Sequence, residues 1–176
     1  MARIKYIEDN QVKDPKVKEA YDRMIKKRGK VTHIYKALAY KPSIISSIGP
    51  FVAAVQEPDE LDPKLKERLI LKVSKINRSA YCYHAHQQIS KKMGFTEHEI
   101  LEVDNPESAN ISEAEKVALR YAETMTISPG NIPDSLFNEI KRHFSDSQIV
   151  ELTMLVALYN MINRFNEALK LDPEEY

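Results

Sequence analysis

From Pro15 to Leu169, apolar residues recur at intervals of three and four, and almost no stretch alternates apolar with polar as a half-buried strand does. Glycine, the residue of tight strand turns, occurs only four times in 176 residues. The chain is therefore expected to be all-α, with about eight helices. Residues 15–28 place Val17, Ala20, Tyr21, Met24 and Ile25 on one face and stop at Gly29. A second helix, 31–40, ends before Pro42, since the residue ahead of a proline avoids helical dihedrals. A third, 43–56, contains Gly49-Pro50, which is expected to kink or split it.

Asp62-Pro63 joins an N-cap acceptor to a proline at the first helical position. The helix it opens turns Leu65, Leu69, Ile70, Val73 and Ile76 inward and Lys64, Arg68, Lys72 and Lys75 outward, and Asn77-Arg78 breaks it before another at 80–92. Thr96/Glu99, Ser112/Glu115 and Ser145/Gln148 match the capping-box pattern and open helices at 97–103, 113–126 and 146–169, while Pro133 opens one at 133–143. The last helix is apolar on nearly every side from Ile149 to Ile162, as a central helix or one at a subunit contact would be.

With 43% hydrophobic and 30% charged residues, the whole chain, 1–176, reads as a single globular domain. Twenty-six basic residues balance 26 acidic ones, so no footprint for nucleic acid or for an anionic membrane is visible. One cysteine makes no internal disulfide, MARIKYIEDN lacks the apolar run of a signal peptide, and Met154–Tyr159 is too short to span a bilayer. A cytoplasmic protein is expected.

Chemistry-bearing residues concentrate between Asp62 and Gly94. Cys82 and His86 lie about 40° apart on one helix face, with Ser79 near the same face. Cys82 falls in the first turn, where free N–H groups favour a thiolate. His86 is placed to accept the thiol proton, and Glu67, the only acid between Pro63 and Arg78, is placed to orient that imidazole if the two helices pack antiparallel. The same three residues equally describe a small buried hydrophobe beside a satisfied core histidine. A metal site at Cys82, His84 and His86 fails on geometry, because His84 points about 200° away from Cys82 on a helix. Neither metal nor cofactor is expected.

The stretch E-R-L-I-L-K-V-S-x-x-N-x-x-x-Y-C-x-x-x-H, from Glu67 to His86, resembles the core motif of the carboxymuconolactone decarboxylase / alkyl hydroperoxidase D (AhpD)-like family, a glutamate followed after about a dozen residues by C-x-x-C-x-x-x-H. KMGFTEHEI at 92–100, AEKVALRYAETMT at 114–126 and FSDSQIVELTMLVALYNMINRFNEAL at 144–169 are similar to the family's connection and later helices. The resemblance implies an AhpD-like helical domain in which Glu67 and His86 are the proton relay and Cys82 is the second motif cysteine. The first motif cysteine is Ser79 here, and Tyr81 stands where some peroxidase members carry a second relay histidine. No disulfide cycle can then run within the chain. The resemblance points to a one-cysteine peroxidase-like oxidoreductase acting on a hydroperoxide and resolved by an external thiol, with Ser79 and Tyr81 binding substrate by hydrogen bonds. Two alternatives stand beside it: a decarboxylase-like lyase on a small carboxylated ring compound with His86 as acid/base, and a non-catalytic helical oligomer with a vestigial site. Family members usually assemble as dimers, trimers or hexamers.

Overall fold

The computed structural model describes residues 1–174, which hold nine α-helices and no strand. Asp14 caps α1 (Pro15–Arg28) by accepting from the Lys16 amide at 2.8 Å, and Gly29 ends it in the left-handed region at φ 75°. A short α2 (His33–Leu38) leads into α3 (Pro42–Gln56). Pro50 sits inside α3 without splitting it. Gly49 is needed for a different reason: a Cβ there would meet the Tyr35 hydroxyl at 3.0 Å.

Asp62 accepts from the amides of Lys64 and Leu65 to start α4 (Pro63–Ile76). Arg78, at φ 54°, takes the left-handed conformation that turns the chain into α5 (Ala80–Lys92). Both elements of the capping boxes at Thr96, Ser112 and Ser145 are present, opening α6 (Glu97–Leu101), α7 (Glu113–Ile127) and α9 (Asp146–Leu169). Between α7 and α9 lies α8 (Asp134–His143).

Helix α4 is the axis of the molecule, packed against α5, α7 and α9. Leu65, Leu69, Ile70 and Val73 join Leu119, Leu152, Leu155 and Tyr159 in the largest core cluster. The sequence placed Arg68 and Lys72 on a solvated face, and both are buried, as is Lys66. Segment 97–108 and α7 cover that face and bring carboxylates to it. Arg68 pairs with Glu99 and Glu115, Lys72 with Glu123, and Lys66 with Glu151 of α9. Helix α9 is central as its composition implies, yet Val150, Met154 and Met161 leave an apolar stripe exposed on it. Among the described residues no helix is long and apolar enough to cross a membrane.

Candidate active site at the junction of α4, α5 and α9

The left-handed turn at Arg78, closed by a 2.8 Å bond from the Ser79 amide to the Ser74 carbonyl, folds α5 back along α4. Glu67 and His86, 19 positions apart, meet in this hairpin, with Glu67 Oε2 2.8 Å from His86 Nδ1. A carboxylate at Nδ1 holds the proton there and presents Nε2 as the acceptor. The His86 ring stands edge-on to Tyr159 of α9, centroids 5.0 Å apart, and the Tyr159 hydroxyl accepts from the Gln56 side chain of α3. Burial, first, and the nearby Glu67 charge raise the Tyr159 pKa well above its ordinary value, so this hydroxyl stays protonated.

Cys82 is 3% exposed and lies against Asn166 of α9, whose amide donates to Sγ at 3.2 Å. The Ser79 hydroxyl is buried, makes no hydrogen bond of good geometry, and still lies close enough to the sulfur to pull the thiol pKa down, as the Asn166 amide does. Burial outweighs both and pushes the Cys82 thiol up to about 11. The thiolate expected from the first-turn position is therefore not the resting state. Near neutral pH Cys82 is a thiol, on the same helix as the His86 ring that Glu67 holds.

Cys82 and His86 line one cavity of about 240 Å³, walled by α1, α2, α3, α5 and α9. Its volume falls below the roughly 300–1,000 Å³ of pockets for drug-sized ligands, which suits a small molecule. Tyr81 lines this cavity as well, but its hydroxyl donates to Glu174 at 2.6 Å, a carboxylate that also accepts from the His33 amide. That bond turns the Tyr81 hydroxyl toward Glu174 in the C-terminal tail. His84 is held by Gln88 at 2.7 Å, on the far side of α5 from Cys82. Among the described residues no group of three or more His, Cys, Asp or Glu side chains could hold a metal ion.

Several residues of this site carried no signal in the sequence. Asn166 lies 84 positions from the sulfur it touches. Gln56 and the basic residues of α1 that reach the cavity, Arg23, Lys27 and Arg28, belong to helices whose patterns read as ordinary amphipathic surface.

The carboxymuconolactone decarboxylase family model matches residues 50–124, a span that includes all of α4 and α5. YdfG of Bacillus subtilis is 33% identical over 107 residues, covering 59% of this chain and 72% of that protein. YnjA of Escherichia coli is 25% identical over 132 residues, covering 74% of this chain and 72% of its own length. Among solved structures, the AhpD core of a peroxidase-related protein from Ralstonia eutropha superposes with a TM-score of 0.86 at 18% identity, covering 99% of this chain and 93% of that one. The debrominase Bmp8, solved alone and as a cysteine-to-alanine variant with 2,3,4-tribromopyrrole, reaches 0.83 at 18% identity, covering 96% of this chain and 90% of its own. At these identities the structural likenesses establish the shared helical fold.

Proposed function

The chain belongs to the carboxymuconolactone decarboxylase / AhpD-like family, and from that premise we propose that it is a peroxidase-related thiol oxidoreductase in which Cys82 reduces a hydroperoxide. The observation that carries this reading is the 2.8 Å Glu67–His86 contact in the wall of the cavity that Cys82 also lines. Because the resting sulfur is protonated, attack begins with transfer of the thiol proton to His86 Nε2, and Glu67 stabilises the imidazolium formed. The sulfur takes the distal peroxide oxygen, the O–O bond breaks, and the proton on His86 goes to the departing alkoxide. Thiol and hydroperoxide become Cys82 sulfenic acid and an alcohol. One external thiol condenses with the sulfenic acid, releasing water and leaving a mixed disulfide, and a second restores the Cys82 thiol as the disulfide of the two external thiols. An outside reductant is required because the chain has only one cysteine. The Asn166 amide and the Ser79 hydroxyl support the transient thiolate during attack.

Exposure of the purified protein to an alkyl hydroperoxide in the presence of dimedone tests this. Mass spectrometry should find the adduct at Cys82 in the wild type, slower labelling in His86→Ala, and none in Cys82→Ala. A wild type that never labels defeats the proposal.

The protonated thiol specifically favours a second reading, in which His86 and Glu67 perform acid/base chemistry on a small carboxylated ring compound and Cys82 is a bystander. Cys82→Ala would spare that activity and abolish peroxide reduction. The exposed Val150, Met154 and Met161 stripe supports self-association, which sedimentation over a range of concentrations would test.

A further inference from the structure

The charged side chains that line the rim of the cavity above Cys82 are basic, while Glu67 sits behind His86. Arg23, Lys27 and Arg28 of α1 line the cavity, and no aspartate or glutamate among the described residues does. A chain with 26 positive and 26 negative residues has no general excess that would produce this. The remaining surface is largely apolar, with Met24, Leu38, Ile48 and Val52 facing the same space. The charges of Arg28 and Arg23 reach the rim, where they oppose the rise that burial imposes on the Tyr35 hydroxyl; deeper in, at Tyr159, Glu67 outweighs Arg28, so the cationic side of the cavity is the α1 rim.

The positions of these residues allow an ordinary explanation to be separated from a functional one. Lys26, Lys27 and Arg28 occupy the last turn of α1, where cations suit the helix dipole, and Arg23 pairs with Glu19 at 2.5 Å. The dipole favours Lys26 as much as its neighbours, yet Lys26 does not line the cavity.

We propose that this cavity selects an amphipathic organic anion, so that the hydroperoxide reduced at Cys82 is that of a small organic acid, its carboxylate held at the α1 rim and its apolar body on the inner wall. The hydroperoxide part rests on the function proposed above, whereas selection of an anion concerns the cavity alone.

With one cysteine in the chain, two alkylating reagents read the field directly. Iodoacetate and iodoacetamide differ in charge, and their rate ratio at one pH is independent of how much thiolate is present. The wild type is expected to favour iodoacetate roughly tenfold or more over the combined Arg23→Gln, Lys27→Gln and Arg28→Gln variant, in line with the concentrating effect of a cationic cleft. The iodoacetate-to-iodoacetamide ratio, not either rate alone, is the readout, and Lys26→Gln should retain the wild-type ratio. A ratio that does not change on removing the three charges, or that changes equally with Lys26→Gln, overturns the proposal. Should the thiol react with neither reagent, melting shifts decide. Octanoate must raise the Tm of the wild type more than octanol does, and lose that advantage in the triple variant; equal shifts overturn the proposal. A protein that binds octanoate but never forms sulfenic acid would retain the anion site and lose the peroxidase reading.

Discussion

The two flanks of α4 bury polar groups in opposite ways. On the flank facing α6 and α7, Arg68 and Lys72 are each under a tenth exposed, and each has a carboxylate against it, with only Arg68 Nε lacking a hydrogen bond of good geometry. On the flank facing α5 and the end of α9, Ser79 Oγ, Asn163 Nδ2 and Asn166 Oδ1 are buried without a hydrogen-bond partner, in the layer that holds the thiol. A buried charge left alone costs several kcal/mol, so the first flank had to be closed for the chain to fold. A buried neutral dipole costs less, about 1–3 kcal/mol, so the second flank can keep polar atoms near the sulfur, where the proposed attack would develop charge.

The largest contrast between the flanks is in activity. Cys82→Ala should eliminate thiol-dependent hydroperoxide consumption, and His86→Ala should lower it by about 10²–10⁴-fold. Substitutions at Arg68 should leave the activity of each folded molecule intact, and a matching loss there would dissolve the distinction. Stability should show the reverse pattern. Arg68→Ala leaves Glu99 and Glu115 without their partner and removes the guanidinium that donates to the Glu99 carbonyl, for an expected loss of about 1–3 kcal/mol in urea denaturation.

A pH titration sharpens the comparison. Above pH 9 the unfolded chain releases the thiol proton, while the folded chain keeps it until about pH 11. Folding stability therefore falls as pH rises through that window, by roughly 2 kcal/mol relative to Cys82→Ala measured in parallel. Identical pH profiles for the two proteins would mean the thiol is not desolvated. The smallest effect is expected at Ser79. Its hydroxyl caps nothing and makes no hydrogen bond of good geometry, so Ser79→Ala should change stability by no more than about 1 kcal/mol while slowing alkylation of Cys82 at fixed pH, because one group that favours the thiolate is gone. An unchanged alkylation rate would show that the hydroxyl does not act on the sulfur.

What the sequence disclosed follows from the range of each interaction. The caps at Asp62, Thr96, Ser112 and Ser145 and the stop at Gly29 are written within four residues, and the helices start or stop there. The Glu67–His86 contact was readable because an αα-hairpin converts helical periodicity into a cross-helix register. Arg68 and Lys72 misled because charge pattern alone cannot tell a solvated face from one covered by an acidic neighbour, and Glu99, Glu115 and Glu123 lie far along the chain. The elevated thiol pKa was equally hidden, since desolvation is set by all the helices around Cys82, whereas the first-turn argument concerned only its own.

The Asn166–Cys82 contact also has a consequence in the order of synthesis. The chain emerges from its N-terminus, so the sulfur is made 84 residues before the amide that donates to it, and its other neighbour on α9, Tyr159, is nearly as late. Until α9 is complete the thiol cannot have the burial that keeps it protonated. For that interval it is an ordinary cysteine, open to any oxidant, and completion of the last helix is what turns it into a guarded one.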